Sequence, residues 1–222
     1  MHTEPSSTSL TRAPVAHHFD DAAQQRTADL FGMWLFLVTE VMFFGGLLTA
    51  YTIYRIQHYE AFVAGSLHLD VLWGTINTAV LLTSSLTMAL AVQAASAGEQ
   101  KQLVKLLVVT MILGALFIAI KGGEYYHKYE EHHVPIYGMF HFDGPHAPQV
   151  QLFFGLYFAL TGLHAVHMLI GLVLLGLLAV WASQGKLLPG SNTVEIAGLY
   201  WHFVDIVWVF LFPLLYLVNR HG

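Results

Sequence analysis

The run from Val194 to Leu217, VEIAGLYWHFVDIVWVFLFPLLYL, constrains this chain most. It is long and apolar enough to cross a bilayer, which takes about 20 residues at 1.5 Å each. Yet His202 and Asp205 stand near its middle. Three positions apart, they share one face of a helix. A carboxylate at membrane depth costs at least ~2.5 kcal/mol on insertion scales and is tolerated where it faces protein, water or a partner. The segment is therefore no simple anchor. It must pack into a bundle that supplies company for Asp205, and Asn77, Ser84 and His164 on other segments are the candidates. Trp201 and Trp208, seven apart, fall on nearly one face and read as an aromatic packing stripe.

Composition extends this to the whole chain. Of its 222 residues 56% are hydrophobic and only 10% charged, against roughly 25% charged in a soluble domain. The expected fold class is all-α, a polytopic membrane bundle of five helices. With no cysteine, a disulfide scaffold, a thiolate metal site and a cysteine nucleophile are excluded. A net charge of −5 argues against nucleic acid as a partner. No charged start followed by an apolar core opens the chain, so no cleaved signal peptide is expected.

Residues 1–27, with Pro5, Pro14 and a Ser/Thr cluster, read as a polar tail in which His17 and His18 are solvated. Residues 28–222 read as one transmembrane domain with helices at about 30–54, 71–95, 103–126, 150–181 and 194–218. The fourth is longer than one bilayer thickness and must tilt or project. Five spans place the termini on opposite sides. With the N-terminus inside, the inner segments carry Arg12, Arg26, Lys101, Lys105 and Lys186, and the outer ones Arg55, Lys121, Lys128 and Arg220. That bias favours a cytoplasmic N-terminus and an outer C-terminus.

A few polar groups could carry chemistry. The loop from His127 to Pro148 holds His127, His132, His133, His141 and His146 with Glu130, Glu131 and Asp143. Imidazole and carboxylate together suit Zn, Cu or Fe, but the recurrent boxes of membrane di-iron enzymes are missing, and a solvated interfacial loop is the expectation. His164 and His167 share one helix face; a helix-borne bis-histidine haem takes its ligands from opposing helices, so they read as core histidines hydrogen-bonded to neighbouring helices. Glu40 is buried in the first span and must be protonated or paired with one of those histidines, with proton handling or helix packing as its role. Glu124 ends the third span and faces the bundle below Tyr125 and Tyr126. Asn77, Ser84 and Ser85 are small polar groups that bond between closely packed helices. No metal site and no catalytic residue is assigned.

Five motifs then carry a resemblance, in the same order along the chain. Glu40-Val41-Met42-Phe43-Phe44-Gly45, Asn77-Thr78-Ala79-Val80-Leu81-Leu82-Thr83-Ser84-Ser85, Gly123-Glu124-Tyr125-Tyr126, Thr161-Gly162-Leu163-His164-Ala165-Val166-His167 and Tyr200-Trp201-His202-Phe203-Val204-Asp205-Ile206-Val207-Trp208 together resemble subunit III of haem–copper cytochrome c oxidases. The five spans resemble its shorter bacterial form. The resemblance implies an accessory subunit of an aerobic respiratory complex, in a bacterial inner membrane, beside catalytic subunit I and subunit II. Haem and copper would sit in those partners and none in this chain, with phospholipid as a bound component. It implies support of oxygen access, proton uptake and turnover lifetime. A quinol-oxidase branch and a nitric-oxide-reductase-associated branch share the motifs, although the Glu-Tyr-Tyr and TGLHAVH wording leans to cytochrome c. Outside the family, a His-box metalloenzyme and a small transporter using Glu40 and Asp205 are the alternatives; paired inverted repeats, which would favour a transporter, are not visible.

Overall fold

A computed structural model describes residues 19–135, 140–142, 144, 146–187 and 192–218. His17, His18, Asp143, Pro189, Gly190, Ser191 and Asn219 to His221 lie outside the described residues. Six helices follow in order: α1 (Ala22–Gln57), α2 (Tyr59–Leu67), α3 (Val71–Ser96), α4 (Gln100–Glu130), α5 (Ala147–Ser183) and α6 (Thr193–Tyr216). All except α2 are long and apolar enough to span a membrane. The protein is an all-α membrane bundle of five spanning helices.

The ends follow local chemistry. Asp21 accepts from the Gln24 amide at 2.7 Å and starts α1 five residues before the expected end of the polar tail. Asp70 accepts from Leu72 N at 2.9 Å and caps α3. Such acceptors satisfy amides that have no partner in the first turn. Gly98 and Gly185 have φ of 75° and 68°. Each is followed by the paired amide bonds that close a helix, Glu99 N to Ala94 O with Gly98 N to Ala95 O, and Lys186 N to Trp181 O with Gly185 N to Ala182 O. Only glycine adopts that backbone without cost.

The helix α2 was not expected. It covers the α1–α3 link, with Phe62 fully buried between the rings of Tyr51 (5.4 Å) and Phe153 (5.4 Å). At nine residues it is too short to span, so hydropathy over a membrane-length window passes over it.

Helices α3, α4, α5 and α6 form the body, and α1 lies along α6 and α5 without touching α3. Polar bonds fix the α3–α6 register: Trp208 Nε1 donates to Thr78 Oγ1 and Trp201 Nε1 to Ser84 Oγ, both at 3.1 Å. Antiparallel packing then carries Trp201 over Gly114 of α4 and Gly171 of α5. A Cβ at Gly114 would stand 2.7 Å from Trp201 Cη2, whereas one at Gly45 would meet nothing within 4 Å. Overpacking a rigid core costs about 1–3 kcal/mol. Gly114→Ala should therefore lower the thermal unfolding midpoint in mild detergent, and Gly45→Ala should leave it unchanged or higher. Equal midpoints would remove the steric reading of Gly114.

Candidate functional site

Three polar groupings interrupt the apolar bundle. The first lies at the end of the bundle where α4 and α6 finish. Lys121, buried, donates from Nζ to Glu124 Oε2 (3.1 Å), Tyr157 OH (3.1 Å) and Tyr216 OH (2.6 Å). Both tyrosines in turn donate to Glu124 Oε1, at 2.8 and 2.5 Å. The ammonium also lies 5.0 Å from the ring centres of Tyr157 and Trp208, a cation–π arrangement that strengthens when desolvated. Glu124 does face the bundle. Lys121 corrects the sequence reading, which counted it among outer-segment cations. The signal was present: Lys121 and Glu124 stand three apart on one helix face, a spacing that pairs opposite charges.

The second grouping joins α1, α5 and α6. His167 Nε2 lies 3.1 Å from Glu40 Oε2, its Nδ1 lies 2.9 Å from the Leu163 carbonyl, and Tyr200 OH donates to the His167 carbonyl at 3.0 Å. Of the two candidate histidines, His167 is the one Glu40 meets. Both acidic and imidazole side chains keep a small exposed fraction, 18% and 12%, so the pair sits on a seam and not in the sealed core.

The third grouping is on α3 and α6. Ser85 Oγ lies 2.7 Å from His202 Nδ1. Asp205 is buried, and neither carboxyl oxygen has a hydrogen-bond partner within ordinary distance among the described residues. The expectation that Asn77, Ser84 or His164 reaches Asp205 is wrong. Ser84 donates to Leu81 O and accepts from Trp201. His164, expected to bond neighbouring helices, has both ring nitrogens unpartnered among the described residues and packs on Trp208 (5.2 Å) and edge-on to Phe117 (5.4 Å). Asn77 is likewise buried without a partner among the described residues.

In the histidine loop His127, His132, His141 and His146 are exposed, as the solvated reading expects, and His133 departs from it. His133 is largely buried, stacked on Phe154 at 5.0 Å with an interplanar angle of 3° and edge-on to His68 at 5.0 Å. Its Nδ1 lies 3.1 Å from Glu131, whose carboxylate also accepts from Lys128 at 2.5 Å. Among the described residues, no three His, Asp or Glu side chains are grouped to hold a metal ion.

Two expectations follow from these contacts. Removing one member of a buried ion pair strands the other and costs about 3–5 kcal/mol. Lys121→Met and Glu124→Leu should each destabilise the purified protein strongly, and the double variant should lose clearly less than the two losses added. Additive losses would show that the pair is not energetically coupled. At the loop, burial holds His133 below its ordinary 6.5 despite the opposing pull of Glu131. Burial raises the Glu131 carboxyl, but Lys128, His133 and His127 together outweigh it and leave it below 4.5. Both groups thus stabilise the loop above their unfolded values, and that stability is lost as pH falls. Protection of the Lys128–His133 amides from hydrogen exchange, corrected for intrinsic rates, should start to drop below about pH 6.5 and fall further below about 4.5. His133→Phe should abolish the first step; a wild-type profile flat between pH 7 and 5 would contradict the assignment.

Comparison with known proteins fits this arrangement. The family model described as cytochrome c oxidase subunit III matches residues 16–219. The subunit 3 of the cytochrome bo(3) ubiquinol oxidase of Pseudomonas aeruginosa is 30% identical, over 92% of this chain and 92% of its own. The cytochrome c oxidase subunit 3 of Corynebacterium diphtheriae is 32% identical, over 90% and 96%, and that of Synechocystis 35% identical, over 85% and 75%. A match that spans all six described helices of this five-span bundle establishes that the chain belongs to the cytochrome c oxidase subunit III family.

Proposed function

We propose that this chain is an accessory subunit of an aerobic respiratory oxidase, held in the bacterial inner membrane against a catalytic subunit I and a subunit II that carry the haem and copper. The observation that carries the reading is where its ionisable groups go. Lys121 and Glu124 are spent on each other inside the bundle, and Glu40 is spent on His167. Such pairs hold helices together and keep a proton-binding group at membrane depth, but they present no nucleophile to a substrate. The chain's role is then to brace the catalytic subunit and to sustain oxygen access and proton uptake over many turnovers, with phospholipid in its seams. The orientation has a cytoplasmic N-terminus, and burial of Lys121 strengthens the basic bias by removing an outer cation. Cytochrome c is the electron donor on the wording of the Glu-Tyr-Tyr and TGLHAVH motifs; the Pseudomonas relative, a ubiquinol oxidase subunit, favours quinol as the second reading.

The test is purification of the tagged chain in mild detergent, with the reduced-minus-oxidised spectrum, metal content and oxygen consumption measured on cytochrome c and on quinol. Haem-bearing chains should co-purify. Glu40→Gln keeps the side-chain shape and most of its hydrogen bonding, so it should assemble normally while activity fades over repeated turnovers. An isolated chain that carries its own iron would overturn the accessory reading. Undiminished turnover by Glu40→Gln would leave Glu40 as a packing group only.

A further inference from the structure

The outward face of α6 departs from the other lipid-height surfaces of the bundle. It lies between α1 and α3, which do not touch, so α6 is the floor of a shallow groove. Its exposed large hydrophobic residues are Ile206, Val209 and Phe210, and α3 beside it exposes Leu82 and Leu86. In the middle of this apolar strip stands His202, half-buried. Its Nδ1 is taken by Ser85, and its Nε2 is accessible with no partner among the described residues. One turn on, Asp205 is 97% buried with both carboxyl oxygens unmatched. Outward hydroxyls elsewhere at this height behave differently: Thr39, Thr49 and Thr83 each donate to a carbonyl of their own helix. The outer face of α5, including Val166 and Val173, is apolar.

A polar atom at mid-membrane needs a partner, because an acyl chain offers no hydrogen bond. We propose that the α1–α6–α3 groove is the face by which this subunit docks on its oxidase, and that a membrane helix of the haem-bearing chain lies in it and offers a hydroxyl or carboxamide side chain to His202. Either group can donate or accept, so it serves whichever imidazole tautomer the Ser85 bond selects. Apolar residues around a central polar contact give the packing and exclude lipid, while the central contact sets register. Ser85 acts behind His202, orienting the ring from the buried side. This inference rests on the oxidase-subunit reading and adds to it the docking face and the chemistry of the contact.

The chain has no cysteine, so single-cysteine variants carry a benzophenone photo-crosslinker to one known place. Ile206→Cys and Phe210→Cys sit on the groove floor, and Val173→Cys on the opposite α5 face. Irradiation in native membranes, recovery through a tag on this chain and mass spectrometry of the adducts should yield a haem-bearing oxidase chain from the two groove positions and none from Val173→Cys. In parallel, His202→Leu should lower the recovery of that chain in mild detergent at least tenfold, and His202→Gln, which keeps a hydrogen-bonding head, should restore it to within about twofold. Adducts from the groove to lipid alone or to a second copy of this chain, or oxidase adducts from Val173→Cys alone, would overturn the docking face while leaving the subunit reading intact. Equal recovery of all three His202 forms would overturn the contact. If the wild-type chain recovers no haem-bearing protein at all, the subunit reading falls and the docking proposal with it.

Discussion

The two indole hydrogen bonds from α6 to α3 set the rest of the bundle. An N–H at membrane depth cannot be left to solvent, and Trp201 and Trp208 find acceptors in Ser84 and Thr78. Seven residues separate the donors and six the acceptors, close to two turns on each helix, so both bonds form only at one antiparallel register. That register brings Trp201 over Gly114 and Gly171, sets Phe117 edge-on to Trp208 at 4.8 Å, and brings His202 to Ser85. Further along α6 it brings Tyr216 to the Lys121 ammonium. Packing between membrane helices has no hydrophobic drive of its own against lipid. Close approach at glycine and a few directional bonds must supply the specificity, and here they coincide on one helix.

The Lys121 site shows how a lipid-embedded bundle accommodates full charge. One carboxylate balances one ammonium, and the two tyrosine hydroxyls take the ammonium's two remaining donors and saturate one carboxylate oxygen. Four rings surround the cation with the negative faces of their π-systems. They come from α4, α5 and α6, so the ion pair, local to one turn of α4, ties three helices. A buried ion pair is weak evidence for net stability, but its loss on one side is expensive. It therefore works as a lock on the arrangement more than as a source of affinity.

Much of this was legible in the sequence, and the exceptions have physical causes. Apolar length alone gives the five spans, and the lone carboxylate Glu40 in an apolar run demanded a partner from the two histidines of the fourth span. Lys121 was misplaced because hydropathy treats any lysine near a span end as a loop cation, although its i, i+3 relation to Glu124 marked a pair. The α2 helix was missed because its nine residues fall below membrane length. Partners for Asp205 were sought by polarity, whereas Ser84 is committed to Trp201 and His164 is turned onto aromatic faces. His133 shows the same limit: histidine density suggested solvent or metal, and the ring is buried by stacking on Phe154, a contact between residues 21 apart that no local pattern reveals.

Glu40 and Asp205 show what pairing does to a membrane carboxylate. Both lie within spanning helices, and both have an imidazole nearby. Glu40 has its imidazole across a helix seam, where His167 is fixed from two further sides by the Leu163 carbonyl and the Tyr200 hydroxyl. That arrangement joins α1, α5 and α6 within the chain. Asp205 has its imidazole three residues away on its own helix, where geometry aims His202 at Ser85 and leaves the carboxyl without an acceptor or donor of its own. The cost of such a group is sustained only if the surrounding contacts over-determine it. The two tryptophan bonds do so on one side of α6. On the other side lies the open groove, where His202 is the first polar atom an incoming helix would meet. One seam of the chain thus carries a joined polar pair and another a carboxyl without one, and the difference lies in whether the imidazole comes from a second helix or from the carboxylate's own.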